Sequence, residues 1–144
     1  MNWSRAPRLK RIPSLATLRR RPVGSILTKS SESPRRGEIW YANTGGKRHA
    51  VVIVSLDQRN ASDRISSVLA VPFGSYGAEG PTSKRLEPGE SGLPEPSFIK
   101  AHFISVVEKK DLMERLPRRL SHSQMREMVA MINRAIDPDA PYQE

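Results

Sequence analysis

The 144-residue sequence carries 24 Lys and Arg against 15 Asp and Glu, and no cysteine. Its length suits one domain with an ordinary hydrophobic core, or one domain with a tail; disulfides and thiolate metal sites are excluded, and no apolar run approaches the ~18 residues of a membrane span. The net charge of +9 is uneven, because residues 1–33 hold eight basic residues against Glu32 alone while 34–144 come to only +2, so overall charge says little about nucleic-acid binding by the globular part.

Residues 1–33 contain Pro7, Pro13 and Pro22, scattered serines and few large apolar residues. They read as a basic flexible tail, disordered or loosely helical. Such a stretch is a solvated tail, a phosphate-binding arm or a targeting leader. It lacks the apolar core of a secretory signal, while an Arg- and Ser-rich, acid-poor leader is also the composition of a mitochondrial transit peptide.

The stretch 35–55 reads as strand, glycine turn, strand. Residues 38–43 are rich in aromatic and β-branched types, and Gly45-Gly46 supplies the positive φ of a tight hairpin turn. Residues 50–54 form an unbroken apolar run, as in a strand buried on both faces, and the β-branched residues Val51, Val52, Ile53 and Val54 favour strand over helix. Lys47, Arg48 and His49 stand just before this run, a cationic cluster at the mouth of a buried strand. A basic group anchored to rigid β-structure is suited to holding phosphate.

Residues 57–63 are polar and turn-forming. A third strand is expected over 67–73, with Pro72 marking an edge or bulge, then a glycine-rich loop from Gly74 to Pro81. A short edge strand over 82–86, a second loop over 87–96 and a longer strand over 97–107 follow. In that last strand Lys100 and His102, two apart, point to one face. Residues 109–116 suggest one or two helical turns. The clearest helix opens on Ser121, an N-cap with Gln124 three residues on. Met125, Met128, Val129 and Ile132 follow at helical spacing, Ile136 extends the stripe, and Asp137-Pro138 stops it. The methionines read as core packing. Five short strands and a terminal helix predict a mainly β fold, a small barrel with the helix packed on it, over 34–137, leaving 138–144 as a C-terminal tail.

Five pieces of this sequence, in order, resemble the MazF/PemK toxins of bacterial type II toxin–antitoxin pairs. Arg36-Gly37-Glu38-Ile39-Trp40 resembles the family opening Arg-Gly-Asp/Glu-Ile-Trp/Tyr. Arg48-His49-Ala50 with Val-Val-Ile-Val-Ser resembles Arg-Pro-Val-Leu-Val-Val-Ser, and Val71-Pro72-Phe73-Gly74-Ser75 resembles Val-Pro-Leu/Val-Thr-Ser. Gly92-Leu93, the stretch 97–107 and Leu112 match a Gly-Leu…Ser-Val-Ile…Thr-Val…Leu segment; Arg119-Leu120-Ser121 with Gln124-Met125 matches Arg-Leu-Ser and its helix. The resemblance implies an SH3-like barrel, usually a homodimer. It implies a metal-independent endoribonuclease cutting single-stranded RNA at short sequences, and an antitoxin partner that blocks the groove. It also implies a bacterial cytoplasmic protein with no cofactor. The chain departs from the pattern in four places. The threonine after the third strand is Gly74. The arginine before the apolar run aligns with Arg48 or His49. An arginine and an aspartate two apart on the late strand are Lys100 and His102, and a further arginine there is Ser105.

Cleaving RNA without a metal needs a base for the 2′-OH proton, a cation or donors for the phosphorane, and an acid for the 5′-oxygen. Arg48 is the candidate phosphate cation, permanently charged and planar. His49 and His102 are candidate acid or base, Lys100 a second phosphate cation and Ser75 a loop donor. Lys47, Tyr76, Lys84 and Arg85 are candidate RNA contacts, Tyr76 by stacking. The three histidines lack helical metal-ligand spacing, so no zinc site is expected. Two further functions fit the same barrel: an RNA- or partner-binding module whose catalytic set has decayed, and a toxin that inhibits a DNA topoisomerase.

Overall fold

In the computed structural model, which describes residues 33–137 and 139, both residues of the Gly45-Gly46 turn have positive φ, 62° and 80°. The expected hairpin forms there: β1 (Glu38–Thr44) and β2 (Lys47–Ile53) pair from Thr44↔Lys47 to Ile39↔Val52. β2 starts earlier than its apolar run, so Lys47, Arg48 and His49 lie within the strand and not ahead of it. The basic tail, apart from residue 33, and the C-terminal tail, apart from Asp139, lie outside the described residues.

β3 (Ser67–Gly74), β4 (Ser83–Leu86), β5 (Ser97–Lys100), β6 (Ser105–Glu108) and β7 (Leu112–Arg119) complete an antiparallel sheet. Its path is β4-β5-β3-β2-β1-β7, with β6 also on β3. The mainly β fold with a C-terminal helix is as expected. The sheet is open, however: β4 and β7 end the path without pairing to each other.

Three element readings need correction. The single strand expected over 97–107 is broken. Phe73 pairs Ile99, yet Ala70, three residues earlier, pairs Ser105, six residues later. The three surplus residues are the 3-10 turn Ala101–Phe103, a large bulge between two segments that share one partner strand. The helical turns expected over 109–116 are a 3-10 turn, Lys109–Asp111, followed by β7. The expected turn and loop also contain short helices, α1 (Asp57–Asn60) and α2 (Pro88–Ser91), the latter ended by Gly92 at φ 81°.

The strands β1 to β3 bury both faces, which is why 50–54 has no polar alternation. On one face Ile39, Val52, Val71, Phe73, Ile99 and Leu116 meet Met125, Met128 and Met131 of α3 (His122–Ala135). On the other, Trp40, Ala42, Val51, Ile53, Val68 and Ala70 meet Val107 and Leu112. The capping box at Ser121 and Gln124 forms as expected, each backbone N–H donating to the other side chain. Met131 takes the last core position of the helix; Ile136 is exposed at its C-cap and does not extend the stripe.

Candidate active site

Alternation along β2 separates the two residues that the sequence leaves as alternatives. Arg48 shares a face with Ala50 and Val52, and with Tyr41, which stands opposite Ala50. His49 shares the other face with Val51 and Ile53. Arg48 reaches diagonally across β1: its guanidinium carbon lies 3.9 Å from the Tyr41 ring centroid, and Nη2 donates to Glu114 Oε1 on β7 at 2.8 Å. Tyr41 and Glu114 are themselves register partners.

Lys100 lies on the opposite side of β2, beyond β3. It closes β5 and pairs Ser83 of β4. Its side chain runs along Gly74, so close that a Cβ there would stand 2.9 Å from Lys100 Cε. Val51 pairs Pro72, and Gly74 is two residues on, so His49 and Gly74 share a face. It is therefore His49, and not Arg48, that shares the sheet face over which Lys100 lies.

The bulge takes His102 out of the ladder. Lys100 and His102 do not alternate along one strand, as the sequence suggested, because the strand ends at Lys100 and the 3-10 turn begins. Ala101 N–H donates to Thr82 O at 2.9 Å, and His102 Nδ1 lies 2.9 Å from Thr82 Oγ1, which leaves Nε2 turned from that bond. The His102 ring packs at 4.3 Å against Phe103. Ser75 and Tyr76 follow β3 directly in an exposed loop, Tyr76 at 84% exposure.

The structure thus sets two separate groups on this part of the sheet: His102 with Thr82 where β5 ends and β4 begins, and the Lys100 side chain running the other way, along Gly74 to Gly77, at the foot of the Ser75-Tyr76 loop. It does not bring Arg48 to them within one chain. Lys84 pairs Glu127 of α3 at 2.7 Å and Arg85 pairs Glu87 at 2.9 Å, while Lys47 is exposed beside the hairpin turn. Among the described residues no three His, Cys, Asp or Glu side chains come together as metal ligands, and no helix is long and apolar enough to cross a membrane.

Sequence reasoning missed Tyr41, Thr82 and Glu114. Only Thr82 left a trace, as a hydroxyl at the start of an edge strand. It also missed the buttress behind β1. Glu38, buried, accepts from Trp40 Nε1 and Arg35 N–H, while Arg119 donates through Nε and Nη2 to Arg36 O. The residues of the Arg-Gly-Glu-Ile-Trp and Arg-Leu-Ser pieces therefore fasten the two chain ends of the sheet together.

A family model described as PemK-like, MazF-like toxin of type II toxin-antitoxin system matches residues 35–136. Among curated proteins nothing matches the sequence. Three solved structures share the fold. An endoribonuclease in complex with its cognate antitoxin from a mycobacterial species is 22% identical, with a TM-score of 0.63 over 76% of this chain and 100% of its own. Mycobacterium tuberculosis toxin MazF-mt6 is 20% identical, with a TM-score of 0.62 over 72% and 99%. MazE-MazF from Deinococcus radiodurans is 17% identical, with a TM-score of 0.61 over 74% and 97%.

Proposed function

The chain belongs to the PemK-like, MazF-like toxins of type II toxin–antitoxin systems, and from that membership we propose that it is an endoribonuclease toxin that cuts single-stranded RNA without a metal, in the bacterial cytoplasm, as a homodimer held in check by a cognate antitoxin. The observation that carries this reading is an imidazole oriented by Thr82 just past β5, with the Lys100 ammonium laid along Gly74 under the exposed Ser75-Tyr76 loop, both inside the matched region. Thr82 fixes the His102 ring, and a fixed ring can exchange a proton at Nε2. Lys100 offers positive charge to the phosphate, and Ser75 a hydroxyl. His49, on the same sheet face as Lys100, is the second imidazole, so the two histidines divide the roles of base toward the 2′-OH and acid toward the 5′-oxygen. The 2′-OH nucleophile makes the substrate RNA and not DNA. Arg48, stacked on Tyr41, grips a further phosphate of the same strand.

Incubation with single-stranded RNA in EDTA tests this. Fragments ending in 2′,3′-cyclic phosphate are expected, with none from a substrate deoxy at the cut position. His102→Ala is expected to slow cleavage about 10²- to 10⁴-fold, the range of a positioned acid or base, with its thermal transition intact. RNA left whole by a high concentration of the folded parent protein refutes the reading.

One observation favours a second reading, the same fold binding RNA or a protein without cutting. Arg48 is already engaged by Glu114 and lies across β2 from His102. Retention of RNA with no cyclic-phosphate product selects that reading.

A further inference from the structure

Gly74 is a glycine that its own backbone does not require. Gly37, Gly45, Gly46, Gly77 and Gly92 have positive φ, and Gly74 does not. It ends β3, a position where any residue fits the backbone and where glycine marks a close approach by something else. The approach is made by Lys100. A Cβ on Gly74 would stand 2.9 Å from Lys100 Cε, 3.0 Å from Nζ and 3.4 Å from Cδ. The same side chain passes Gly77, whose added Cβ would lie 3.4 Å from Cε and 3.7 Å from Nζ. Lys100 is therefore laid lengthwise between two glycines, half-buried, with its ammonium at the foot of the exposed Ser75-Tyr76 loop. Its cationic neighbours on β4 each hold a carboxylate, Lys84 with Glu127 and Arg85 with Glu87. Among the described residues Lys100 holds none.

We propose that Gly74 is a positioning residue: its missing side chain lets Lys100 lie across the end of β3, so that the ammonium meets an RNA phosphate at the Ser75-Tyr76 loop. This rests on the endoribonuclease reading. It joins two departures from the family motif into one change, in which a lysine reaching from β5 occupies the space that a side chain at 74 would fill. The lysine then supplies the phosphate contact at the end of β3.

The test is Gly74→Ala. Its backbone is compatible, and the clash falls on the movable end of a lysine, so the fold is expected to survive with a melting temperature within a few degrees of the parent. Binding to a pool of short mixed-sequence 2′-O-methyl oligoribonucleotides, which lack the nucleophile, is measured across salt for the parent, Gly74→Ala, Lys100→Ala and the double variant. Each single variant is expected to bind about tenfold more weakly, the size of one charge-assisted contact. Each is also expected to lower the salt slope by about one. The double variant is expected to be no weaker than Lys100→Ala. Parent-like affinity in Gly74→Ala, or losses that multiply in the double variant, overturns the proposal. A second measurement needs no RNA: the rate at which Lys100 is acylated, read by mass spectrometry, is expected to change in Gly74→Ala. Should the parent bind no RNA, the endoribonuclease reading falls, and an unchanged acylation rate then removes the positioning role as well.

Discussion

Arg48 holds two partners at once, the Tyr41 ring under its guanidinium and the Glu114 carboxylate at its tip. Both charged side chains are more than half exposed. Such a pair contributes about 0–1 kcal/mol, so Glu114 is readily displaced by a phosphate that accepts the guanidinium fork at two oxygens. Arg48→Ala is therefore expected to weaken RNA binding about tenfold and leave the melting temperature nearly unchanged. Glu114→Gln is expected to do the reverse, tightening binding because the guanidinium is left unopposed. Anisotropy titrations with RNA check the pair, and an Arg48→Ala variant that binds like the parent removes Arg48 from the RNA surface. Asp57 behaves differently. The Arg36 backbone N–H that donates to it at 2.7 Å holds its carboxyl below the ordinary aspartate value, helped by Asn60. A lowered folded pKa stabilises the fold above the unfolded pKa of about 3.9, and that stabilisation is lost as pH falls through the folded value. Asp57→Asn is thus expected to melt below the parent at pH 7 and to converge on it only as pH falls below the ordinary aspartate value and through the lowered folded one, as thermal melts across pH will read. At this scale the sequence exposes residue types, not partners. Arg48 and His102 are recognisable because few other side-chain types offer a guanidinium fork to phosphate or an imidazole to a proton. Glu114 and Thr82 are not, because each meets its partner through register between strands far apart in the chain.

The elements best read from sequence are those whose signal is local. The Gly45-Gly46 turn needs only its own φ values, and α3 carries its cap and its apolar spacing within 14 residues. These two supports of α3 separate experimentally. Ser121→Ala loses the side chain that accepts Gln124 N–H and is expected to cost about 1 kcal/mol. Met128→Ala leaves a hole where the side chain is fully buried against the sheet and is expected to cost about 2–5 kcal/mol. Urea melts at constant slope give both numbers, and a larger loss from the cap than from the core would mean that α3 is held by its end and not its face. β7 misleads because its buried leucines, Leu112 and Leu116, stand four residues apart, and Leu120 just beyond the strand continues the interval, a spacing shared by helix and strand. The structure resolves it through two register shifts against β1, which put Leu112 in one core and Leu116 in the other. The bulge that carries His102 is equally silent in sequence. Strand-forming residues run on through 97–107 with no Gly or Pro to break them, and only the competition of β5 and β6 for one partner strand forces three residues out of the ladder.

Across the whole molecule the apolar surface is not evenly hidden. Phe103 and Val106 are 55% and 60% exposed, one in the bulge beside His102 and the other on β6. Large side chains left outside two well-filled cores mark a contact face more often than a defect. The position of Phe103 ties assembly to chemistry, since its ring packs on His102 and whatever covers it lies beside that imidazole. A second copy of the chain is the expected cover. It would exclude water from the imidazole and bring further cationic surface, with Arg48 among its sources, toward it. The described residues all lie in one compact unit, so a chain beginning at residue 34 is expected to keep both its cooperative melt and this association. In that shortened chain, Phe103→Ser combined with Val106→Glu places a polar group and a charge on the patch while sparing every core side chain. Sedimentation is expected to change from dimer to monomer, the melting transition to stay cooperative, and RNA cleavage to fall with the loss of the dimer. A double variant that sediments and cleaves like its parent would show that the patch is not the pairing face. A monomer that still cleaves at the parent rate would show instead that His102, Lys100 and Ser75 of a single chain suffice.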